Sequence, residues 1–244
     1  MAAIRVIING AKGRMGQEAS KAVQAEEGLE LVAMADFGDN LVQLIADKNA
    51  QVVVDFTTAS VVYETAKTII GAGVHPVIGT SGLLPEQVEE LQKLSNAKSL
   101  GGLIAPNFAI GAVLMMKFAK DAVRYFPDVE IIELHHDRKA DAPSGTAVKT
   151  MNMLAEAREK APNPRTEKEI LAGARGASDR GIHVHSVRLP GLVAHQEVIF
   201  GGLSETLTIR HDSIHRESFM PGVCLSCRKV MDLNELIYGL EHVL

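Results

Sequence analysis

The sequence predicts an α/β protein in which a doubly wound parallel sheet comes first and an α+β domain with a mostly antiparallel, open sheet follows. Three observations predict this. Strand and helix patterns alternate from Ile4 to Ala105. The apolar runs in that half, such as Ile4–Ile8, are continuous, as in strands covered on both faces. After Pro106 the pattern changes to long helices and then to strand-like runs separated by glycines.

Ile4–Ile8 reads as the first strand and Met15–Glu26 as the helix after it. Leu29–Ala35 and Gln51–Phe56 read as the next two strands, followed by a helix over Ala59–Gly71. Val74–Ile78 and Leu103–Ala105 are further strands, with a helix from Pro85 to about Ser95 between them. Pro85 suits a first helical turn, where its missing N–H costs nothing. Such alternation implies right-handed crossovers and a parallel sheet. In the second half, Ile110–Phe126 is a helix that stops before Pro127. Val129–His136 is a strand, Thr146–Lys160 a helix, and Ala161–Arg165 a loop. Ile182–Leu189, Ala194–Phe200 and Leu203–His211 are strands, divided by Gly191 and by Gly201-Gly202. Ser218–Leu244 reads as helical and is expected to pack back on the first sheet, whose two faces both need cover.

The 244 residues carry a formal charge of −5 with no basic run, which gives no electrostatic footprint for nucleic acid. No apolar stretch is long enough to span a membrane. The start lacks the charged lead and cleavage site of a signal peptide, so a cytoplasmic location is expected. Cys224 and Cys227 form a C-x-x-C pair. This is either a redox pair or half a zinc site, or simply two small residues on a C-terminal helix, and no second cysteine pair completes a zinc site.

The first strand runs into Asn9-Gly10-Ala11-Lys12-Gly13-Arg14-Met15-Gly16, a G-x-x-G-x-x-G loop opening a helix. Glycines there allow a tight turn, close approach of backbone to a pyrophosphate, and close helix–strand packing. The N–H groups at the helix start then face the phosphates. The second strand ends at Asp36, 20 residues past Gly16, where a ribose-binding acid belongs. This is a relative of the Rossmann fingerprint, and a Rossmann domain is expected. An acid there favours NADH, and Phe37 follows it with no arginine alongside. Lys12 and Arg14 still admit NADPH, so NADH preference or dual use is expected. Two further loops, Gly79-Thr80-Ser81-Gly82 and Ala105-Pro106-Asn107-Phe108, sit at strand C-termini, where open sheets place ligands.

Seven of the nine histidines lie between residues 130 and 220. His183 and His185 share a strand face and can ligate a metal, but no helical H-x-x-x-H pair or cysteine partner accompanies them, and no metal is expected. The richest segment is Glu133–Ala147. It places His135-His136 at a strand end, then Lys139 and Asp141 in a charged loop, then Ser144-Gly145-Thr146 at a helix start. Ser144 and Thr146 suit a helix cap, and free N–H groups there bind a carboxylate. An imidazole, an ammonium and an anion cradle are what reduction of an anionic, unsaturated substrate needs, because a proton must arrive beside the hydride.

These fifteen residues, roughly E-x-H-H-x-x-K-x-D-A-P-S-G-T-A, resemble the signature of the 4-hydroxy-tetrahydrodipicolinate reductases, formerly dihydrodipicolinate reductases, of lysine and diaminopimelate biosynthesis. The resemblance extends over essentially the whole chain, through the glycine loop, Asp55-Phe56-Thr57, both later loops and Gly191–Glu197. It implies His135 as acid–base residue, Lys139 as proton donor, His136 in contact with substrate, and Gly145 and Thr146 on a substrate carboxylate. It implies that Gly10, Ala11, Lys12, Gly13, Arg14, Met15, Asp36, Gly79, Thr80, Ser81, Ala105, Pro106, Asn107 and Phe108 bind the dinucleotide. Residues 1–106, completed by 216–244, are then the dinucleotide domain, and 107–215 the domain for the small dicarboxylate and for assembly into a homotetramer through its sheet. Two departures stand out. The segment between Asp36 and Gln51 is short, and the nicotinamide loop reads G-T-S-G where G-T-T-G is common. The alternatives are another nicotinamide-dependent dicarboxylate or amino-acid dehydrogenase, and a non-catalytic NAD(H) sensor. The latter needs the glycine loop but not the His–Lys constellation.

Overall fold

The computed structural model describes residues 2–163, 166 and 168–244. The chain divides into two compact units, Met1–Ile110 with Arg216–Leu244, and Gly111–His215. No helix among the described residues is long and apolar enough to cross a membrane.

The first unit alternates strand and helix as its sequence pattern predicts. Its elements are β1 (Ile4–Asn9), α1 (Arg14–Ala25), β2 (Leu29–Ala35), α2 (Leu41–Lys48), β3 (Val52–Asp55), α3 (Val62–Gly71), β4 (His75–Ile78), α4 (Pro85–Asn96) and β5 (Gly102–Ile104). The returning C-terminal segment adds α7 (Met220–Lys229) and β11 (Leu236–Tyr238). The strands form one sheet in the order β11-β5-β4-β3-β1-β2, and every pairing is parallel. Val6, Ile7, Ile8, Val52, Val53, Val54, Val77 and Leu103 are all fully buried, which is why these strands read as unbroken apolar runs. Chain order reverses between β1 and β3, the switch point at which such sheets bind ligands beyond their strand ends.

Helix α1 buries Gly16, Ala19, Ser20 and Val23, one face at helical spacing. Gly16 sits where a Cβ would overlap the carbonyl oxygen of Gly10 and crowd Ala11. Only glycine lets the helix start this close to the loop.

The second unit holds α5 (Ile110–Ala122), β6 (Asp128–His135), α6 (Gly145–Ala157), β7 (Ala177–Asp179), β8 (Ile182–Arg188), β9 (Ala194–Gly202) and β10 (Glu205–Ser213). Its sheet order is β10-β9-β6-β8-β7, antiparallel except for the parallel pair β6–β8. Helix α6 packs on β6 and β8. Strand register puts Val129, Ile131, Val184, Val198 and Phe200 on one face, all buried. The opposite face carries Glu130, Ile132, His185 and Ile199 and is partly open, with a cavity of about 420 Å³ over them.

Three elements depart from the sequence reading. Ser218–Leu244 is not helical throughout. After α7 and a tight turn at Val230–Asp232 it lays β11 against β5, with Leu236 opposite Gly102. A three-residue strand is too short to show a period. Helix α2 was not expected in the short stretch after Asp36, although Asn40 caps it by accepting from the Gln43 N–H at 3.1 Å. Strand β7 is fully exposed and so carries no apolar signal. The loop expected over Ala161–Arg165 is described only to Asn163; Pro164 and Arg165 lie outside the described residues.

Gly16→Ala is expected to cost about 1–3 kcal/mol through overlap with backbone that has nowhere to move. That lowers the melting temperature by roughly 2–12 °C for a chain of this size. Gly71, in the last turn of α3, has open space around its Cβ position, and Gly71→Ala should be neutral or stabilising. Calorimetry of the two variants checks this, and equal effects would contradict the packing argument.

Candidate functional site

In the first unit the glycine loop curls against the end of β2. The carbonyl of Ala35 accepts from the N–H groups of Gly10 and Ala11, at 2.9 and 3.0 Å. The Lys12 N–H donates to Asp36 Oδ2 at 2.8 Å, and the Phe37 N–H to Oδ1 at 2.8 Å. These backbone donors, Lys12 first, hold the Asp36 carboxyl below its ordinary pKa. Gly10 takes the left-handed conformation, φ +77°, that the turn requires. Gly13 precedes the first turn of α1 and contributes no side-chain cap. The leading N–H groups of Arg14 and Met15 have no acceptor within the helix, and the helix dipole adds positive potential there. Lys12 and Arg14 are exposed beside them. That donor set fits a pyrophosphate, and a carboxylate at the end of β2 fits a ribose. Phe37 is fully exposed.

The two later loops lie at the ends of β4 and β5. The Gly79 N–H donates to the Asp55 carbonyl at 2.9 Å, and Thr80 Oγ1 to the Asp55 carboxylate at 2.6 Å. Ser81 is exposed. The Ala105 N–H donates to Ile78, and Asn107 Oδ1 accepts from the Ala109 N–H. Pro106 is exposed, whereas Phe108 is buried with its ring edge-on to Phe56, centroids 5.9 Å apart.

In the second unit the end of β6 is built around Glu133, whose side chain has no solvent exposure. It accepts from Arg188 Nη1 and Nη2 at 2.9 and 2.7 Å, and from the Ser144 N–H at 3.2 Å. His135 Nδ1 lies 2.5 Å from Glu133 Oε2. Glu133 and His135 are two apart on one strand and share a face, and Arg188 is the register partner of His135 on β8. Burial works to raise the Glu133 pKa, but hydrogen bonds from Arg188, Ser186 and His135 outweigh it and keep the carboxyl below the usual range. Burial pushes the His135 pKa down, and Glu133 only partly opposes this while Lys139 and Arg188 add to it. Lys139 Nζ contacts both oxygens of Asp141 at 2.7 and 2.8 Å, and Arg188 Nη2 donates to the Asp141 carbonyl at 2.7 Å. Ser144 is buried; its hydroxyl accepts from the Ala147 N–H at 3.2 Å and caps α6. Gly145 is exposed and Thr146 half-buried at the helix start. His136 Nδ1 is buried without a partner.

His183 and His185 are engaged elsewhere. His183 Nδ1 meets the Arg175 carbonyl at 2.8 Å, and His185 Nε2 meets Glu130 at 2.9 Å. No cluster of three metal-binding side chains stands among the described residues. Cys224 and Cys227 lie buried on α7, where burial lifts the Cys224 thiol to about 11 and the Cys227 thiol higher still. Neither is a ready thiolate.

Sequence reasoning missed the parts played by Arg188, Asp141 and Asp55, and gave Glu133 none. The Glu133–His135 pairing was available from the two-residue strand period. Arg188 was not, since only the β6–β8 register brings it there.

The N-terminal sequence profile of dihydrodipicolinate reductase matches residues 4–108, and the C-terminal profile matches residues 111–244. The chain belongs to the dihydrodipicolinate reductase family. It is 55% identical to a 4-hydroxy-tetrahydrodipicolinate reductase of Legionella pneumophila, over 98% of this chain and 99% of that one. A 4-hydroxy-tetrahydrodipicolinate reductase of Listeria monocytogenes is 53% identical, over 99% of this chain and 100% of its own. Among solved structures, the dipicolinate-bound dihydrodipicolinate reductase of Paenisporosarcina sp. TG-14 superposes with a TM-score of 0.92 at 48% identity, over 99% of this chain and 100% of that one. Membership in this reductase family makes the chain an oxidoreductase that uses a nicotinamide cofactor.

Glu133→Gln is expected to cost about 3–5 kcal/mol at pH 7, because it leaves the half-buried Arg188 guanidinium without its counter-charge. The folded-state pKa of Glu133 lies below its unfolded value near 4.3. Its stabilisation is therefore present above about pH 4.3 and lost as pH falls through the folded pKa. Urea unfolding of wild type and variant should show the difference shrinking in acid; a difference constant from pH 7 to pH 3 would contradict the assignment.

Proposed function

We propose that this chain reduces 4-hydroxy-tetrahydrodipicolinate to tetrahydrodipicolinate, with a hydride and a proton replacing the hydroxyl and the hydrogen that leave together as water. Each turnover consumes one reduced nicotinamide and one proton and yields one oxidised nicotinamide and one water. The observation that carries the reading is the group at the end of β6: His135 anchored by Glu133 and Arg188, with Lys139–Asp141 and the start of α6 beside it. The family membership supports it.

A bound nicotinamide dinucleotide supplies the hydride. Gly10, Ala11, Lys12, Gly13, Arg14 and Met15 hold its pyrophosphate, through N–H groups at the α1 start and through the two cations. Asp36 takes the ribose. Gly79, Thr80 and Ser81, with Ala105, Pro106, Asn107 and Phe108, hold the nicotinamide end, Phe108 by packing against Phe56.

On the substrate side, Glu133 occupies His135 Nδ1 and so leaves Nε2 to face the substrate. With its pKa lowered, His135 is largely neutral near pH 7 and acts as acid–base partner. Lys139 delivers the proton. Its pairing with Asp141 is exposed on the Asp141 side and can exchange for a substrate carboxylate. Gly145 and Thr146 present backbone N–H groups to a carboxylate, and Ser144 caps the helix so that they point outward. His136, with an unpartnered buried Nδ1, contacts the substrate as well.

NADH is the preferred cofactor or is used alongside NADPH. Asp39 accepts from the Asp36 N–H at 2.8 Å, so two carboxylates stand together at the end of β2, a pair that would repel a 2′-phosphate. Phe37 brings no charge to offset them. The protein works in the cytoplasm as a homotetramer joined through the open face of the second sheet, where Glu130, Ile132, His185 and Ile199 line a cavity.

A coupled assay with freshly generated substrate tests the reaction and the site together. Wild type should oxidise NADH rapidly, and Lys139→Ala should lower kcat by about 100-fold, the scale of general-acid catalysis. No oxidation of either cofactor would overturn the reaction. A kcat/KM for NADPH equal to or above that for NADH would overturn the preference.

A further inference from the structure

The segment Asp55-Phe56-Thr57 touches every loop assigned to the dinucleotide, yet the reading above gives the Asp55 carboxyl and the Thr57 hydroxyl no role of their own. Asp55 ends β3 at the switch point and is fully buried. Its Oδ1 accepts from Asn9 Nδ2 at 2.8 Å, just ahead of the glycine loop. Its Oδ2 accepts from Thr57 Oγ1 at 2.9 Å and from Thr80 Oγ1 at 2.6 Å, the latter in the loop after β4. The backbone is tied the same way, with the Phe56 N–H on the Asn9 carbonyl and the Gly79 N–H on the Asp55 carbonyl, both at 2.9 Å. Two glycines are shaped by the same residues. A Cβ on Gly10 would overlap the Phe56 carbonyl, and one on Gly79 would overlap the Phe56 ring. That ring in turn packs against Phe108 of the third loop.

We propose that Asp55 is a positioning residue for the dinucleotide: its buried carboxyl fixes the glycine loop and the Gly79–Ser81 loop in the one relative placement that fits both ends of the cofactor. This rests on the nicotinamide reading of those loops. The groups that donate to the carboxyl, from Asn9, Thr57 and Thr80, are all neutral and stand at or just beyond strand ends. Burying a carboxyl among neutral groups is costly, and a strand end needing only stability is met more cheaply by an apolar side chain. Burial, exceeding what the hydrogen bonds offset, accordingly raises the Asp55 pKa. What the costly group supplies is an acceptor that two hydroxyls and an amide reach at once. Asparagine there keeps the shape but must turn its NH₂ toward the two hydroxyls, which loosens the junction without removing it.

The test measures NADH binding by fluorescence titration, separately from turnover, on wild type, Asp55→Asn, Thr57→Val and Thr57→Ser. Thr57 is not among the residues assigned to the cofactor, and its hydroxyl donates to the Asp55 carboxyl. Asp55→Asn and Thr57→Val are each expected to raise the Kd and KM for NADH about tenfold or more, the scale of a lost buried hydrogen bond. The KM for the dicarboxylate substrate should stay within twofold, and Thr57→Ser should bind NADH as wild type does. A folded Asp55→Asn that binds NADH within twofold of wild type overturns the proposal, as does an equal rise in both KM values. If Asp55→Asn does not fold, the Thr57→Val and Thr57→Ser pair decides by the same criteria. Wild type that fails to bind NADH overturns the nicotinamide reading and this proposal with it, an outcome distinct from binding that Asp55→Asn leaves intact.

Discussion

The Glu133 carboxylate stands inside a sheet with no access to water, and most of the second unit's chemistry follows from how it is neutralised. An isolated buried carboxylate costs several kcal/mol, so it must be paired or protonated. A bidentate guanidinium is the strongest partner a protein offers, and Arg188 provides it. Arg188 can reach only because β8 runs parallel to β6 and ends beside it. One carboxylate therefore fixes the ends of two strands. Through the Ser144 N–H it also fixes the approach to α6, and through its remaining lone pair it fixes the His135 ring.

Asp55 in the first unit shows the same burial with the opposite result. Desolvation acts on both groups and favours the neutral acid. Glu133 has a guanidinium against it and titrates low; Asp55 has neutral donors and titrates high. The difference lies in the strength of the partner, since each is buried at a strand end and each accepts several hydrogen bonds. Each carboxyl also ties together segments distant in sequence that a ligand must find in register.

The parts of this arrangement legible in the sequence are those whose physics is local. The glycine loop declares itself because Gly10 must turn left-handed and Gly16 has no room for a Cβ, and both constraints act within one strand–helix junction. Asp36 is legible for another reason, its spacing of 20 residues past Gly16 at the end of the second strand, and not through the Lys12 N–H that its carboxylate accepts. Glu133, His135, Lys139, Asp141 and Ser144 fall in one contiguous segment, so their types were visible although their pairings were not. Arg188 and Asp55 were not legible as site residues. Their partners lie up to 55 residues away, and only strand register says which side chains meet. Strand β11 was lost for a related reason: three residues at a sheet edge carry no period, and what defines it is its alignment with Gly102.

The second unit joins a rigid part to an exchangeable one. Glu133 is buried and Arg188 half-buried against it, and breaking the pair strands a charge at a cost of several kcal/mol. The Lys139–Asp141 pair is largely solvent-exposed at its carboxylate, and such pairs contribute only about 0.2–1 kcal/mol. In the proposed reaction an incoming carboxylate of substrate would compete with Asp141 on nearly equal terms for the Lys139 ammonium. Arg188 links the two parts by holding the Asp141 carbonyl, so Asp141 can release its ion pair without its backbone leaving the site. The proposed proton donor is thus kept near a fixed imidazole by a contact that does not involve its own charge, and it remains free to trade that charge with whatever anion binds.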